Sequence, residues 1–343
     1  MKKTMNVHTV KACLMFLLML SSAFNGCLCD NEALIQNVNF PTSKSLLLIS
    51  TDAGETWTVN ETGTENELNN LSYAYSDYGY RIVASGNNGT LLSTTNYGNT
   101  FTNHGTTLDL NFRDAGFSAS DGRIVLTSGN NSHVVTSDGG ETWLTRSTGS
   151  LYISYIDINP ALTLFQAACS TGDSKHIYIS TNGGLNWLIK SADTTNEDSF
   201  DGIKFLRGNL IIAYGSNGLM LRSTNYGENW NKVALPVTDR IISAASNPEW
   251  QTVISNTDTR GKFLKSTDLG STWVLKDIPP SKNYTANIFA MSYSGDLIGA
   301  GYSGSMVKST DMGETWREIN SGTGADINDV IFINNSLVAA IAH

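Results

Sequence analysis

The stretch STDAGETW, residues 50–57, decides how this chain reads. A hydroxyl, a carboxylate, a glycine and a tryptophan at fixed spacing suit either catalysis or a turn. The chain answers by repetition. The phrase returns as TTNYGNTF (94–101), TSDGGETW (136–143), STNGGLNW (180–187), STNYGENW (223–230), STDLGSTW (266–273) and STDMGETW (309–316). Its closing aromatics stand at 57, 101, 143, 187, 230, 273 and 316. A fixed period of this length marks stacked supersecondary units.

Each unit has the same internal grammar. In the second, LSYAYS (71–76), YRIVASG (80–86) and TLLSTT (90–95) precede the repeated phrase and a short run through Phe101. Such short β-branched and aromatic runs, cut by Gly, Asn, Asp and Ser, read as four strands with tight turns. GNNG (86–89) and GSNG (215–218) suit hairpins that need positive φ. No helical periodicity is sustained beyond residue 30. Seven such units predict an all-β fold, a seven-bladed β-propeller of four-stranded antiparallel blades.

The S-x-D-x-G-x-T-W phrase resembles the Asp-box, or bacterial neuraminidase repeat, over nearly all of residues 45–343. That family includes sialidases, xyloglucanases, sortilin-like receptors and photosystem II assembly and stability factors. The resemblance implies a propeller with the box at the blade periphery, in a structural role. The residues agree. Asp52, Asp138, Asp268 and Asp311 share their place with Asn96, Asn182 and Asn225. A general acid, nucleophile or metal ligand would not accept that exchange, whereas a turn acceptor would.

The chain ends are complementary. KSLLLI (44–49) precedes the first box with no earlier strands, and INDVIFI (327–333) and SLVAAIA (336–342) follow the last. Two half-blades make one composite blade, closed by N- and C-terminal strands, which removes open sheet edges.

Lys2, Lys3 and Lys11 precede or interrupt the apolar run ACLMFLLMLSSAF (12–24), which is the length of a secretory core and short for a membrane span. The expected organisation is a signal peptide over 1–29 and the propeller over 30–343. FNGC (24–27) weakly resembles a bacterial lipobox, so Cys27 is a candidate lipidation site. Secretion, or retention in the periplasm or outer envelope, is the expected localisation. The chain carries a net charge of −9, and loss of the leader would remove three Lys and no acid. No basic footprint for nucleic acid is visible, and a membrane is expected only through a lipid anchor. The four Cys and five His show no metal-ligand spacing, and no metal or cofactor is expected.

A sialidase would need an arginine triad and an Arg-Ile-Pro motif. Arg81 opens RIV instead, and GRIV recurs at 122–125. A glycoside hydrolase, sialidase-like or xyloglucanase-like, needs two carboxylates across a cleft, and no long insertion builds one. The favoured reading is a non-catalytic, monomeric propeller that binds a protein partner; the alternative is a glycoside hydrolase or a carbohydrate-binding propeller with a glycan as ligand. Alignment by eye places one polar residue before each first strand: Asn70, Asn111, Ser154, Asp201, Arg240, Asn287 and Asp329. These are the candidate channel-mouth contacts, with Arg240 the basic member.

Overall fold

Short runs that alternate between two buried faces pair as antiparallel strands, and the repeated phrase turns the chain between the third and fourth of each set. The structure is a computed structural model. It describes residues 44–343 apart from 77–78, 105–109, 119–121, 129–131, 160–165, 170–175, 191–197, 248 and 279–285. The expected leader and Cys27 lie outside the described residues. Among those residues are twenty-eight strands in seven four-stranded antiparallel sheets.

The first two strands, β1 (Leu46–Ser50) and β2 (Thr58–Glu61), join the last two, β27 (Ile327–Phe332) and β28 (Val338–Ala342), in the order β2-β1-β28-β27. Leu46 to Ser50 pair residue by residue with Ala342 to Val338. The composite blade expected from the chain ends is therefore present. The six continuous blades begin on the inner strands β3 (Leu68–Ser76), β7 (Asp114–Ser118), β11 (Tyr155–Ile158), β15 (Phe200–Arg207), β19 (Ile241–Asn247) and β23 (Ala286–Met291).

The repeated phrase is a turn. In the first copy the Ser50 hydroxyl donates to Asp52 Oδ1 at 2.7 Å and accepts the Gly54 N–H at 2.7 Å. Asp52 Oδ1 also accepts the Thr56 N–H at 2.9 Å, and Oδ2 accepts the Thr56 hydroxyl at 2.6 Å. Burial alone would raise the Asp52 pKa, but the bonds from Thr56 and Ser50 prevail and hold it at about 2. Asn96 keeps the Oδ1 bonds at 3.0 Å and reverses only one donor, its Nδ2 reaching Thr100 Oγ1 at 2.8 Å. That is why Asp and Asn exchange freely. The next residue is left-handed in every copy: Ala53, Tyr97, Tyr226, Leu269 and Met312 have φ between 53° and 60°, and Gly139 and Gly183 fill the other two. A left-handed non-glycine residue costs about 1–2 kcal/mol, which the hydrogen bonds of the turn offset.

Each closing tryptophan packs into the preceding blade. Trp316 meets Phe263 of the preceding blade and Phe289 of its own, with ring centroids 5.5 Å apart, and Trp273 joins Ile212 and Met220 of the blade before. Seven apolar clusters fill the seven seams. Outside the clusters, glutamates of the turns clasp the previous blade. Glu55 bonds Lys308 and Arg317, Glu314 bonds Lys265 and Lys276, Glu228 bonds Lys190, and Glu141 bonds Arg81.

One seam departs from this pattern. Three residues before the turn, six blades bury Leu47, Leu91, Ile177, Met220, Phe263 or Met306, but the second blade buries His133 at 1% exposure. Gln166, fully buried across the same seam, takes a register place that is Ile, Val or Leu in the six sister strands. Among the described residues neither side chain has a hydrogen-bond partner, and Trp187 Nε1 beside them has none either. Burial, with a smaller push from Arg146, lowers the His133 pKa to about 4.

Two outcomes follow from these contacts. Deleting 326–343 strips β27 and β28 and exposes the β1 edge, so the truncated chain should aggregate or lose most of its stability. A wild-type melting temperature in a monomeric truncation would refute closure. The second concerns pH. His133 stays neutral in the fold, so its contribution is complete above the unfolded value of about 6.5 and is lost as pH falls towards 4. His133→Leu should gain about 1–2 kcal/mol at pH 7 in urea unfolding, and the gain over wild type should widen at pH 5. A constant difference across that range would contradict the buried neutral imidazole.

Candidate functional site

The inner strands leave one edge unpaired, so their N–H groups face the central channel. Aspartates satisfy three of them across the seams. Asp329 accepts its neighbour Val330 N–H at 2.8 Å and, from the next blade, Leu71 N–H at 2.7 Å. Asp114 does the same with Ala115 at 2.9 Å and Ile156 at 2.8 Å. Asp157, two residues deeper, takes Ile158 at 3.0 Å and Phe205 at 2.8 Å. These side chains and Lys204 line a cavity of about 260 Å³ that continues down to Phe117, Met291 and Phe332. The channel is thus acidic above and apolar below. Burial raises all three carboxyl pKa values, to about 6 for Asp114 and about 7 for Asp329, and the Lys204 charge pulls each back.

The seven residues expected at the channel mouth do not form one ring. Asn70 and Asp329 share a register place, opposite Ser85 and Ile341 of their second strands. Ser154 and Asp201 stand one residue earlier, as does Asn287, whose side chain lies outside the described residues. Asn111 and Arg240 precede their inner strands altogether. Five inner strands carry an extra residue at the same register place near their start, where the register slips between Leu68 and Asn70, Phe200 and Gly202, Ile241 and Ser243, Ala286 and Ile288, and Ile327 and Asp329. The slip is common to those five blades and does not itself separate their candidates; eye alignment of short strands has no ladder to fix register and set the positions one to three residues apart. The residues that match Asp329 in register include Asp114, which sequence reasoning missed. The available signal was an aspartate set in an otherwise apolar strand, as at Asp114, Asp157 and Asp329.

The expected contacts have local duties. Asn111 Oδ1 caps the Asn88 N–H at 2.9 Å. Ser154 is fully buried and its carbonyl accepts the Thr127 hydroxyl at 2.8 Å. Asn70 is buried with Nδ2 unpartnered. Arg240 meets Asp201 with two bonds, Nε to Oδ2 at 2.7 Å and Nη2 to Oδ1 at 2.6 Å. These bonds raise the Arg240 pKa further. Arg240 is therefore not a free cation, and the Asp201 side chain behind it is only 5% exposed. Charge reversal at Arg240 would strand that carboxylate and disturb the fold, so Arg240 cannot serve as a neutral probe of binding.

Beside this pair, on the upper face, runs a groove of about 320 Å³ between the fifth and sixth blades. Arg240, Asp258, Arg260, Lys262 and Tyr302 line it. Lys262 is paired with Asp277, but Arg260 is exposed and has no partner among the described residues. Tyr302 is 52% exposed. Cys169 is fully buried on the second strand of its blade, and burial pushes its thiol pKa up. Among the described residues no group of three or more His, Cys, Asp or Glu is placed to hold a metal ion. No described helix is long and apolar enough to cross a membrane.

No protein-family model matches the chain, and no curated protein sequence does. Solved structures share its fold. YCF48 bound to D1 peptide aligns with a TM-score of 0.62 and 14% identity, over 89% of this chain and 98% of that one. YCF48 from Cyanidioschyzon merolae aligns at 0.61 and 18%, over 82% and 96%. The GH74 enzyme of Niastella koreensis aligns at 0.58 and 17%, over 80% of this chain but 43% of its own. At these identities the likeness is one of fold.

The raised carboxyl pKa values carry a sign. Asp329 binds its proton more tightly in the fold, so its contribution is complete below about pH 4 and declines as pH rises through about 7. Asp329→Asn, which cannot ionise, should gain on wild type by about 1 kcal/mol or more between pH 5 and pH 8 in denaturant unfolding. A difference that stays flat, or moves the other way, would mean that the channel solvates the carboxylate fully.

Proposed function

We propose that the chain is a non-catalytic, exported propeller that holds a segment of a partner protein across its upper face, in the manner of an assembly factor. The observation that carries this reading is the groove beside the channel mouth. It offers an unpaired guanidinium at Arg260, an exposed ring at Tyr302 and a rigid floor set by the Arg240–Asp201 pair. A guanidinium recognises a carboxylate with paired hydrogen bonds, and a neighbouring aromatic ring supplies contact area at small entropic cost. A propeller of this fold carries a bound peptide in YCF48, which supports peptide capture here. Export rests on the leader-like residues 1–29, and Cys27 is the residue that a lipid anchor would use. The proposed chain is a monomer.

The glycoside hydrolase reading has the fold of GH74 behind it. The three channel carboxylates, however, already accept backbone N–H groups at both oxygens. That bonding fits an architectural duty better than a poised acid and nucleophile.

Partner capture from the native envelope fraction, read by mass spectrometry, tests the proposal. Arg260→Glu should weaken capture by about tenfold while melting stays at the wild-type temperature, because the side chain is exposed and unpaired. Capture unaffected by Arg260→Glu combined with Tyr302→Ala would remove the partner from this groove. Hydrolysis of a fluorogenic sialoside or a β-glucan, abolished by one carboxylate substitution, would replace the binding reading with an enzymatic one.

A further inference from the structure

The lower face carries a second built surface, remote from the upper groove in topology and different in chemistry. It lies on the turns between first and second strands of the fifth and sixth blades. Trp250 is 54% exposed and Tyr293 is 63% exposed. Neither ring packs on another ring or forms a side-chain hydrogen bond among the described residues. The two rings stand on adjacent turns outside the blade cores and together form an exposed aromatic surface, with the Tyr293 phenol near enough to add to the effect of burial in raising the Tyr73 pKa.

The turns that present them are fixed. Asn247 is 1% exposed, and its amide is bonded on all sides. Nδ2 donates to the carbonyls of Ser292 and Tyr293, both at 2.9 Å. Oδ1 accepts the N–H of Glu249 at 3.0 Å and that of Trp250 at 3.3 Å. One side chain therefore holds both turns to each other. Between them lies Met312, in the left-handed place of its repeat turn. Its sulfur is 3.9 Å from Thr252 Oγ1 in the fifth blade. On the sixth blade it lies so close to Gly295 that a Cβ there would stand 2.9 Å from Met312 Cγ, and Gly295 has φ of +95°. Gln251 adds strain: it is left-handed at φ 54°, where the second blade uses Gly122.

The charge of the surface narrows its ligand. Glu249 precedes Trp250 in one turn and Asp296 ends the turn that bears Tyr293, and the three neighbouring turns, 247–251, 292–296 and 333–337, contain no Lys or Arg. Neither carboxylate has a side-chain partner among the described residues. This contrasts with the glutamates of the repeat turns, where Glu55 and Glu314 are each tied to two cations. Aromatic faces attract cations through the ring quadrupole, and free carboxylates bind a guanidinium with paired hydrogen bonds. Met312 gives a pliable floor for an aliphatic stem. The net charge of −9 repels an acidic ligand and steers a basic one.

We infer that the cleft of Trp250, Met312 and Tyr293 docks an arginine- or lysine-bearing segment of a partner protein, its cation over the rings and between Glu249 and Asp296. The upper groove and this cleft then select opposite charges. One partner with an acidic and a basic segment could engage both faces, and so could two partners.

The test uses the full chain and a fluorescein-labelled peptide, Gly-Ser-Gly-Arg-Leu-Arg-Gly-Ser-Gly, read by anisotropy. Its control carries citrulline for arginine, which keeps the shape and removes the charge. The arginine peptide should bind, and the citrulline peptide should bind at least about tenfold more weakly. Trp250→Ala and Tyr293→Ala should each weaken binding about tenfold with unchanged melting, since both rings are exposed. Glu249→Gln with Asp296→Asn should weaken binding and flatten its dependence on salt between about 50 and 300 mM. Arg260→Glu should leave it unchanged. Equal binding of the citrulline peptide, indifference to Trp250→Ala, loss through Arg260→Glu, or no binding at about 1 mM peptide would each overturn the inference. Binding of cellohexaose that is lost in Trp250→Ala, with no binding of the arginine peptide, would make the cleft a glycan platform instead.

Discussion

The ladder between β1 and β28 is the constraint on which the rest depends. Seven wedge-shaped sheets around a channel are stable only if the first meets the last. Here that meeting is a run of paired residues, Leu46 to Ser50 against Ala342 to Val338. His343 adds a side-chain contact to Ser45 at 3.0 Å, and its backbone exchanges bonds with Asp326. Because the closing strands come from opposite ends of the chain, every seam is held under the same ring geometry. The seven clusters can then be small, each shared by two blades.

Closure leaves two kinds of edge to satisfy. At the centre, Asp114, Asp157 and Asp329 accept N–H groups of the next blade, so the channel wall is stitched by side chains rather than by a further strand. At the periphery, turn glutamates reach lysines and arginines of the preceding blade. Two of the lysines, Lys265 and Lys308, are themselves buried, so loss of Glu314 or Glu55 would leave an ammonium unpaired inside a seam. The carboxylates spent in this way also define what is left over. Glu249 and Asp296 on the lower face, and Arg260 on the upper, are charges that the scaffold does not use.

That separation of spent from unspent groups organises the functional reading. A propeller offers two mouths, and in this chain their rims differ in chemistry. The upper groove has guanidinium groups and a phenol; the lower cleft has rings and carboxylates. The inner strands between them present an acidic upper wall and an apolar lower one, with Lys204 as the channel cation common to the three aspartates.

By itself the sequence determined the seven units, their four-strand grammar, the composite blade and the structural duty of the repeated turn. Those features are local or periodic: a turn hydrogen bond spans four residues, as from Thr56 to Asp52, and the Asp–Asn exchange at Asn96 is visible without coordinates. Tertiary structure alone decided which polar residues meet. Strand register put Asn70 and Asp329 in one place and Asp201 one residue earlier, not in the common ring that alignment suggested, and the packing of adjacent blades paired Arg240 with Asp201 across a seam. Tertiary structure also made His133 and Gln166 neighbours, and brought Trp250 and Tyr293 to one amide, that of Asn247. These relations join residues of adjacent blades about one repeat apart, where a one-residue slip changes the partner and no local pattern records the slip.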